Sequence, residues 1–321
     1  MLRAVTTGII HRYPEVPIRL EPDVAARPLT ALMQRSLVII DKPAGCTSHD
    51  VIVRVRRITR RKRVGHSGTL DPEVTGVLPI GLGQATRMLG LLLASGKTYD
   101  CEMHLHADEP AERVREVLES QVGTITQLPP VRSRVKRVER EREIHSLQIA
   151  SIGRRNVRFT VECEAGTYIR KLCHDVGVQL GCGAHMAWLR RLNAGGYTLD
   201  DAVTIEQLAE AMAAWKRDGN EAPLRAMLQS AESALDDDLP RVWVDDGALV
   251  PISTGSPMAL PGVIAFTDNL VPGEDCALMS TDGWFVAIAR VEDGMDVATV
   301  REHGRGIFAR QHHVLWPMPE G

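Results

Sequence analysis

Residues 64–87 read VGHSGTLDPEVTGVLPIGLGQATR, and the rest of the chain is organised around this stretch. Five glycines, Gly65, Gly68, Gly76, Gly81 and Gly83, surround Asp71. Glycine at that density marks backbone that turns tightly or approaches something closely. Such a segment makes a poor helix and a poor continuous strand, so a loop is expected, with Asp71-Pro72 starting a turn. Immediately upstream, residues 54–63 read RVRRITRRKR, seven Lys or Arg in ten positions. A run of this kind is either a solvated helix face or a surface that steers phosphate.

Working outward, a chain of 321 residues is long for one core, and two domains are expected. Apolar content of 44% and charged content of 25% are those of an ordinary globular protein. The longest aliphatic run, near residues 88–93, falls far short of the roughly 20 residues that span a bilayer. The N-terminus lacks a signal-peptide pattern, so a cytoplasmic protein without a membrane partner is expected. The six cysteines form no C-x-x-C pair, which suggests neither a zinc site nor a disulfide framework. His104 with His106, and His312 with His313, lack further ligands at recognisable spacing, so no metal is expected.

The net charge of -3 hides an asymmetry. Lys and Arg outnumber Asp and Glu by 15 to 8 in residues 1–100 and by 15 to 13 in residues 101–200, but trail by 8 to 20 in residues 201–321. Basic character is concentrated at the front, where the glycine-rich stretch lies.

Pro14, Pro17, Pro22 and Pro28 make residues 1 to about 30 loop-like. A short helix is expected over 27–35 and a strand over 37–40. Thr47 or Ser48 then caps a helix with Val51, Ile52, Val55 and Ile58 on one side, which leaves Arg54, Arg57 and Arg61 on another. A helix over 85–95 and an alternating strand over 97–106 follow, then a helix from Pro110 to about Ser120. Two alternating runs, 144–152 and 157–163, read as a hairpin, followed by a helix over 168–180 and a strand around 188–192. Helices over 204–217 and 223–235 lead to a linker, Asp236-Asp237-Asp238 with Pro240. Short strands at 241–244, 262–266, 276–279 and 284–290 then describe a small all-β module.

The order of residues in the opening stretch closely resembles the G-H-x-G-x-L-D-P-x-x-T-G-x-L motif of the TruB/dyskerin family of RNA pseudouridine synthases. Asp41-Lys42-Pro43 with Thr47-Ser48-His49, Lys97-x-Tyr99, Gly166-Thr167-Tyr168-Ile169-Arg170, and residues 181–192 (GCGAHMAWLRRL) match the same family in order and near its spacing. The resemblance runs from about residue 27 to 205, and the C-terminal module with Leu260-Pro261-Gly262 is similar to the PUA domain of that family. It implies an α+β fold: a mixed, largely antiparallel sheet with flanking helices, plus a small β-rich PUA domain. The boundaries expected are 1–35 for an N-terminal extension, 36–238 for the catalytic domain and 239–321 for the PUA domain.

Making pseudouridine breaks the bond from C1' to N1, turns the uracil and rejoins it through C5. That isomerisation needs no redox step and no net energy, so no cofactor is expected. The resemblance implies Asp71 as the catalytic carboxylate, acting as nucleophile or as base on the ribose. It implies Arg170 as the cation that keeps Asp71 ionised inside a water-poor pocket. Tyr99 would stack on a flipped base, with Tyr168 and Leu189 lining the same pocket. His66 would position RNA or else stabilise its own turn, and Lys42 would support the catalytic loop or contact phosphate. Backbone contacts are expected from Arg54, Arg57, Arg61, Lys62 and Arg63, and PUA contacts from Leu260, Pro261 and Gly262.

Between Tyr99 and Pro130 the chain lacks the longer insertion with which stand-alone bacterial members grip a transfer-RNA arm. Gln127-Leu128-Pro129-Pro130-Val131-Arg132-Ser133 and Lys171-Leu172-Cys173-His174-Asp175 look dyskerin-like, while Glu73 and Gly81-Leu82-Gly83-Gln84 depart toward the bacterial type. The absence of long Lys-rich tails points to the archaeal form. The resemblance therefore implies partners: an H/ACA guide RNA, a target ribosomal or transfer RNA, and small accessory proteins. The alternatives are a stand-alone transfer-RNA enzyme and a non-catalytic RNA-binding scaffold.

Overall fold

The computed structural model describes residues 8–128, 138–235, 238–302 and 304–316. Two sheets carry the architecture. The larger has ten strands, and its main path runs Leu228–Ser230, Ser36–Lys42, Thr75–Leu82, Ala184–Ala194, Lys97–Leu105, Asn156–Cys163, Arg140–Ile152 and Gly123–Gln127. Tyr197–Thr198 and Val64–His66 pair at its side. Every pairing is antiparallel except that of Thr75 and Gly76 with Arg190 and Arg191. The second sheet has seven strands from residues 9–11 and 241–314. No helix among the described residues is long and apolar enough to cross a membrane.

Alternation drives the larger sheet. Cys101, Met103 and Leu105 are wholly buried on one face of their strand. They share a core with Leu172, Cys173, Val176 and Leu180 of the helix Ile169–Leu180, and with Val114 and Leu118 of the helix Ala111–Glu119. The helix Ser48–Thr59 starts where expected: Thr47 accepts from the Asp50 N–H, and the Asp50 carboxylate accepts from the Thr47 N–H. This reciprocal cap satisfies two donors that a helix start otherwise leaves unpaired.

Three local expectations are corrected. The glycine-rich stretch contains a true strand, Thr75–Leu82, because Leu37 to Lys42 on one side and Val64–His66 on the other satisfy its backbone. Residues 223–235 are not one helix: Ala222–Met227 is helical, and Leu228–Ser230 then pairs with Ser36 to Val38. The proline-rich N-terminus includes a strand, Ile9–His11, paired with Ala265 to Thr267 of the second sheet. The expected features at residues 129–137 and 236–237 lie outside the described residues.

The two sheets share a core. Leu37, Ile39 and Val77 of the first pack in one cluster with Trp243, Ala277, Met279 and Phe285 of the second. Through this seam Arg35 donates to the carbonyls of Leu315 and Phe285 and pairs with Glu232 at 3.3 Å.

Candidate active site

Asp71 begins a turn in which Val74 N–H donates to its carbonyl at 3.1 Å. Neighbouring side chains brace that turn. Ser48 Oγ accepts from Leu70 N–H and donates to Leu70 O. Lys42, wholly buried, places its Nζ 2.8 to 2.9 Å from the carbonyls of Pro43, Pro72 and Val74. An ammonium has three donors, so Lys42 is spent on the loop and has none left for phosphate. Its pKa is lowered by burial.

Arg170 lies in the first turn of the helix Ile169–Leu180, and its Nη2 donates to Asp71 Oδ2. The start of that helix is held by Gln127, whose amide accepts from Tyr168 N–H and donates to Tyr168 O. The Asp71–Arg170 pair stands open: the two side chains are 52% and 58% exposed. The expected water-poor pocket is therefore not formed around the carboxylate by protein atoms alone.

Tyr99 is partly buried beside Arg191, with which it is paired across antiparallel strands. Burial raises the phenol pKa against the opposing pull of that charge. Arg191 is 1% exposed. Its Nε donates to Val77 O at 2.7 Å and its Nη2 to Gly68 O at 3.2 Å. Gly76 has a φ of +105°, and a Cβ there would sit 2.1 Å from Arg191 O. Glycine at that motif position is thus required by the close crossing of two parallel strands. Next to Arg191, Arg190 pairs with Asp41 at 2.8 Å.

The remaining expected residues divide. His66 is partly buried, and its pKa is lowered by burial and then by Arg191 and His49. Leu189 is 7% exposed and belongs to the core cluster, two residues before Arg191 on the same strand face. Arg54 and Arg57 are exposed on the helix Ser48–Thr59, and Lys62 and Arg63 are exposed beyond it. Arg61 is a correction: it turns inward toward Met33 Sδ at 3.8 Å, and burial lowers its pKa. Leu260 is buried while Pro261 is exposed and Gly262 half-buried, and the Leu260 and Val263 carbonyls accept from Arg12. His185 lies between His104 and His106 with its ring tilted to both, yet no group of three metal-ligating side chains is arranged to hold an ion among the described residues.

Sequence reading had left Arg191 without a role. Strand alternation carries the signal: with Leu189 facing inward, Arg191 faces inward too.

The TruB family pseudouridylate synthase N-terminal domain matches residues 56–169, the tRNA pseudouridylate synthase B C-terminal domain residues 170–236, and the PUA domain residues 240–315. A probable tRNA pseudouridine synthase B of Methanosarcina acetivorans is 43% identical over 90% of this chain and 85% of its own length. The protein of that name from Methanopyrus kandleri is 42% identical with the same coverage. Among solved structures, a Cbf5-Nop10-Gar1 complex contains a chain with a TM-score of 0.87 and 35% identity, covering 98% of this chain and 95% of that one. An H/ACA RNP bound to a substrate RNA containing 2'-deoxyuridine gives 0.85 and 32%, covering 98% and 96%. The backbone that brings Asp71 to Arg170 is shared along nearly its whole length with these proteins, and the chain belongs to the TruB family of RNA pseudouridine synthases, isomerases that turn uridine into pseudouridine.

Proposed function

We propose that this enzyme works as the catalytic subunit of an RNA-guided particle, modifying ribosomal or transfer RNA chosen by an H/ACA guide and completed by small accessory proteins. The observation that carries this reading is the short path after the strand Lys97–Leu105. One nine-residue helix, Ala111–Glu119, and one strand, Gly123–Gln127, fill residues 106–128, where an arm-gripping insertion would have to begin. Likeness to chains in guided complexes over 98% of the sequence supports it. We place this activity in the cytoplasm and divide the chain at residues 35 and 238.

Asp71 is the catalytic carboxylate, and Arg170 holds it ionised and aimed at the sugar. Because that pair is half exposed, bound RNA itself excludes the water. Tyr99 stacks on the flipped uracil beside Tyr168, Leu189 packs behind them, and His66 borders the entry. Arg54, Arg57, Lys62 and Arg63 meet the RNA backbone, and Pro261 and Gly262 offer the exposed part of the PUA turn. Lys42 serves by holding the loop.

A second reading, a stand-alone transfer-RNA enzyme, is favoured by the name of the curated relatives. Conversion of a guide-complementary RNA and of transfer RNA, each with and without the guide complex, tests both. Guided conversion exceeding unguided conversion is expected. Efficient site-specific modification of transfer RNA by the protein alone, with no gain from guide, would promote the second reading.

A further inference from the structure

The helix Ile169–Leu180 carries Arg170 in its first turn, yet its own sequence makes a weak start there. Tyr168 stands at the N-cap without a side-chain hydrogen bond to the free N–H groups, and no acidic residue lies in the first turn. A cation in that turn also opposes the helix dipole. Both side chains of the Asp71–Arg170 pair are more than half exposed, so the geometry of the pair depends on where the main chain begins the helix.

Gln127 supplies the hold that this helix lacks. It ends the strand Gly123–Gln127 at the edge of the larger sheet, where Thr124 and Thr126 are exposed and alternation turns Gln127 inward to 2% exposure. Burying an amide is costly unless it is hydrogen-bonded at both ends. Here both ends bond one residue: Oε1 accepts from Tyr168 N–H at 2.9 Å, and Nε2 donates to Tyr168 O at 3.2 Å. That carbonyl is the one to which the Lys171 and Leu172 N–H groups donate as the helix opens. A primary amide carries the donor and acceptor of a peptide group, so the side chain grips Tyr168 as a neighbouring strand would. The turn before it is already tied, since the N–H and hydroxyl of Thr167 both donate to Glu164 O.

We infer that Gln127 is a positioning residue of this site: it fixes the main chain at Tyr168 and through that residue aims Arg170 at Asp71. The inference rests on the pseudouridine-forming role of Asp71 and Arg170 proposed above. A purely structural amide would stabilise the protein whatever side chain stood at position 170. A positioning amide acts on the reaction through Arg170, and its effect on rate vanishes when that guanidinium is gone.

The experiment is a double-mutant cycle on the full chain, under the conditions, guided or unguided, in which the wild type converts RNA. Single-turnover rates at saturating RNA are measured for wild type, Gln127→Met, Arg170→Met and the double variant, with RNA affinity and melting temperature recorded for each. Methionine keeps the length of the side chain and removes both bonds. Gln127→Met is expected to lower the rate about tenfold while affinity stays within about threefold, because a misplaced group is felt in the transition state. In the Arg170→Met background the same change is expected to cost less than about twofold. Equal factors in both backgrounds would overturn the inference, as would an unchanged rate for Gln127→Met.

If Gln127→Met does not fold, Gln127→Asn decides. Its amide stays polar but ends one methylene short of Tyr168. A rate loss of about threefold or more that disappears beside Arg170→Met supports the inference, and a loss of the same size in both backgrounds, or none, overturns it. Absence of product from the wild type is a different failure, since it removes the function on which the inference rests. Product from wild type and none from Asp71→Asn secures that foundation before Gln127 is judged.

Discussion

Two buried arginines sit in two regions of this molecule, and their surroundings differ in one respect. Arg35, in the seam between the sheets, donates to carbonyls of the second sheet and pairs with Glu232, itself nearly buried. Burial lowers the Arg35 pKa and Glu232 opposes that shift. Arg191, beneath the Asp71 turn, also donates to carbonyls, but among the described residues no carboxylate pairs with it, and its cross-strand neighbour is the phenol Tyr99. A neutralised charge can only hold structure together. An uncompensated one extends its field over whatever lies beside it, and a site that detaches and reattaches a uracil has uses for such a field.

The largest effect expected is at the open end of the site. Asp71→Asn should reduce pseudouridine formation by about a thousandfold or more while RNA affinity stays within about tenfold, because the amide keeps the shape but is neither nucleophile nor base. Measurable product beyond deamidation or contamination would remove Asp71 from its role.

The seam should respond in stability instead. Glu232→Ala leaves Arg35 as an unpaired buried cation, and breaking such a pair costs about 3–5 kcal/mol. Denaturant unfolding should register that loss, with the single-turnover rate of the folded fraction unchanged. A rate defect matching the stability defect would erase the distinction between the two arginines.

Arg170→Met comes next. The Asp71–Arg170 pair is more than half exposed, so solvent screens it in the free protein and its contribution to stability is small. A rate loss of about tenfold to hundredfold is expected once RNA covers the pair, with melting nearly unchanged. Full activity and an unaltered pH–rate profile would take Arg170 out of the site.

How much of this was legible in the sequence depends on where each signal resides. Periodicity and capping are local, so the helix Ser48–Thr59 with its Thr47 cap and the hairpin of Arg140–Ile152 with Asn156–Cys163 were readable. Pairing is not local. The strand Ile9–His11 finds its partner more than 250 residues away, and Leu228–Ser230 joins an edge formed nearly 200 residues earlier. The helix Asp246–Ser253, with Pro251 inside it, gave no recognisable pattern. In the site, Asp71 and Arg170 stood out by their motifs. Arg61 was misread because helical spacing was carried past Arg60, where a left-handed residue ends the helix and turns the next side chain inward.

A pH experiment sharpens the picture beside Arg191. Lys97 and Cys163 are register partners on adjacent strands. Burial, helped by Arg191, lowers the Lys97 pKa to about 8, and burial raises that of Cys163 to about 11. Between pH 9 and 10 the unfolded chain holds the lysine proton that the native state has lost, so the Lys97 contribution makes stability rise with pH. The native state meanwhile holds the thiol proton that the unfolded chain loses, so the Cys163 contribution falls over the same window. The two nearly cancel. Cys163→Ala should leave the lysine contribution uncovered, and the variant should gain about 1 kcal/mol relative to wild type from pH 9 to 10. Parallel stability curves would show that the thiol stays unshifted.

The smallest effect per residue belongs to the basic run. Arg54 and Arg57 project from an exposed helix face and Lys62 and Arg63 follow it, whereas Arg61 is turned into the protein. Each phosphate contact releases counterions, so removing one should flatten the slope of log affinity against log salt by about 0.7 to 0.9. Glutamine at Arg54, Arg57, Lys62 or Arg63 should do so singly and nearly additively, with the rate at saturating RNA preserved. Arg61→Gln should leave the slope unchanged and lower stability instead, because its guanidinium is turned in to the Met33 sulfur. An equal slope change at Arg61 would mean that the side chain swings out to meet RNA, and the inward contact would then belong to the free protein only.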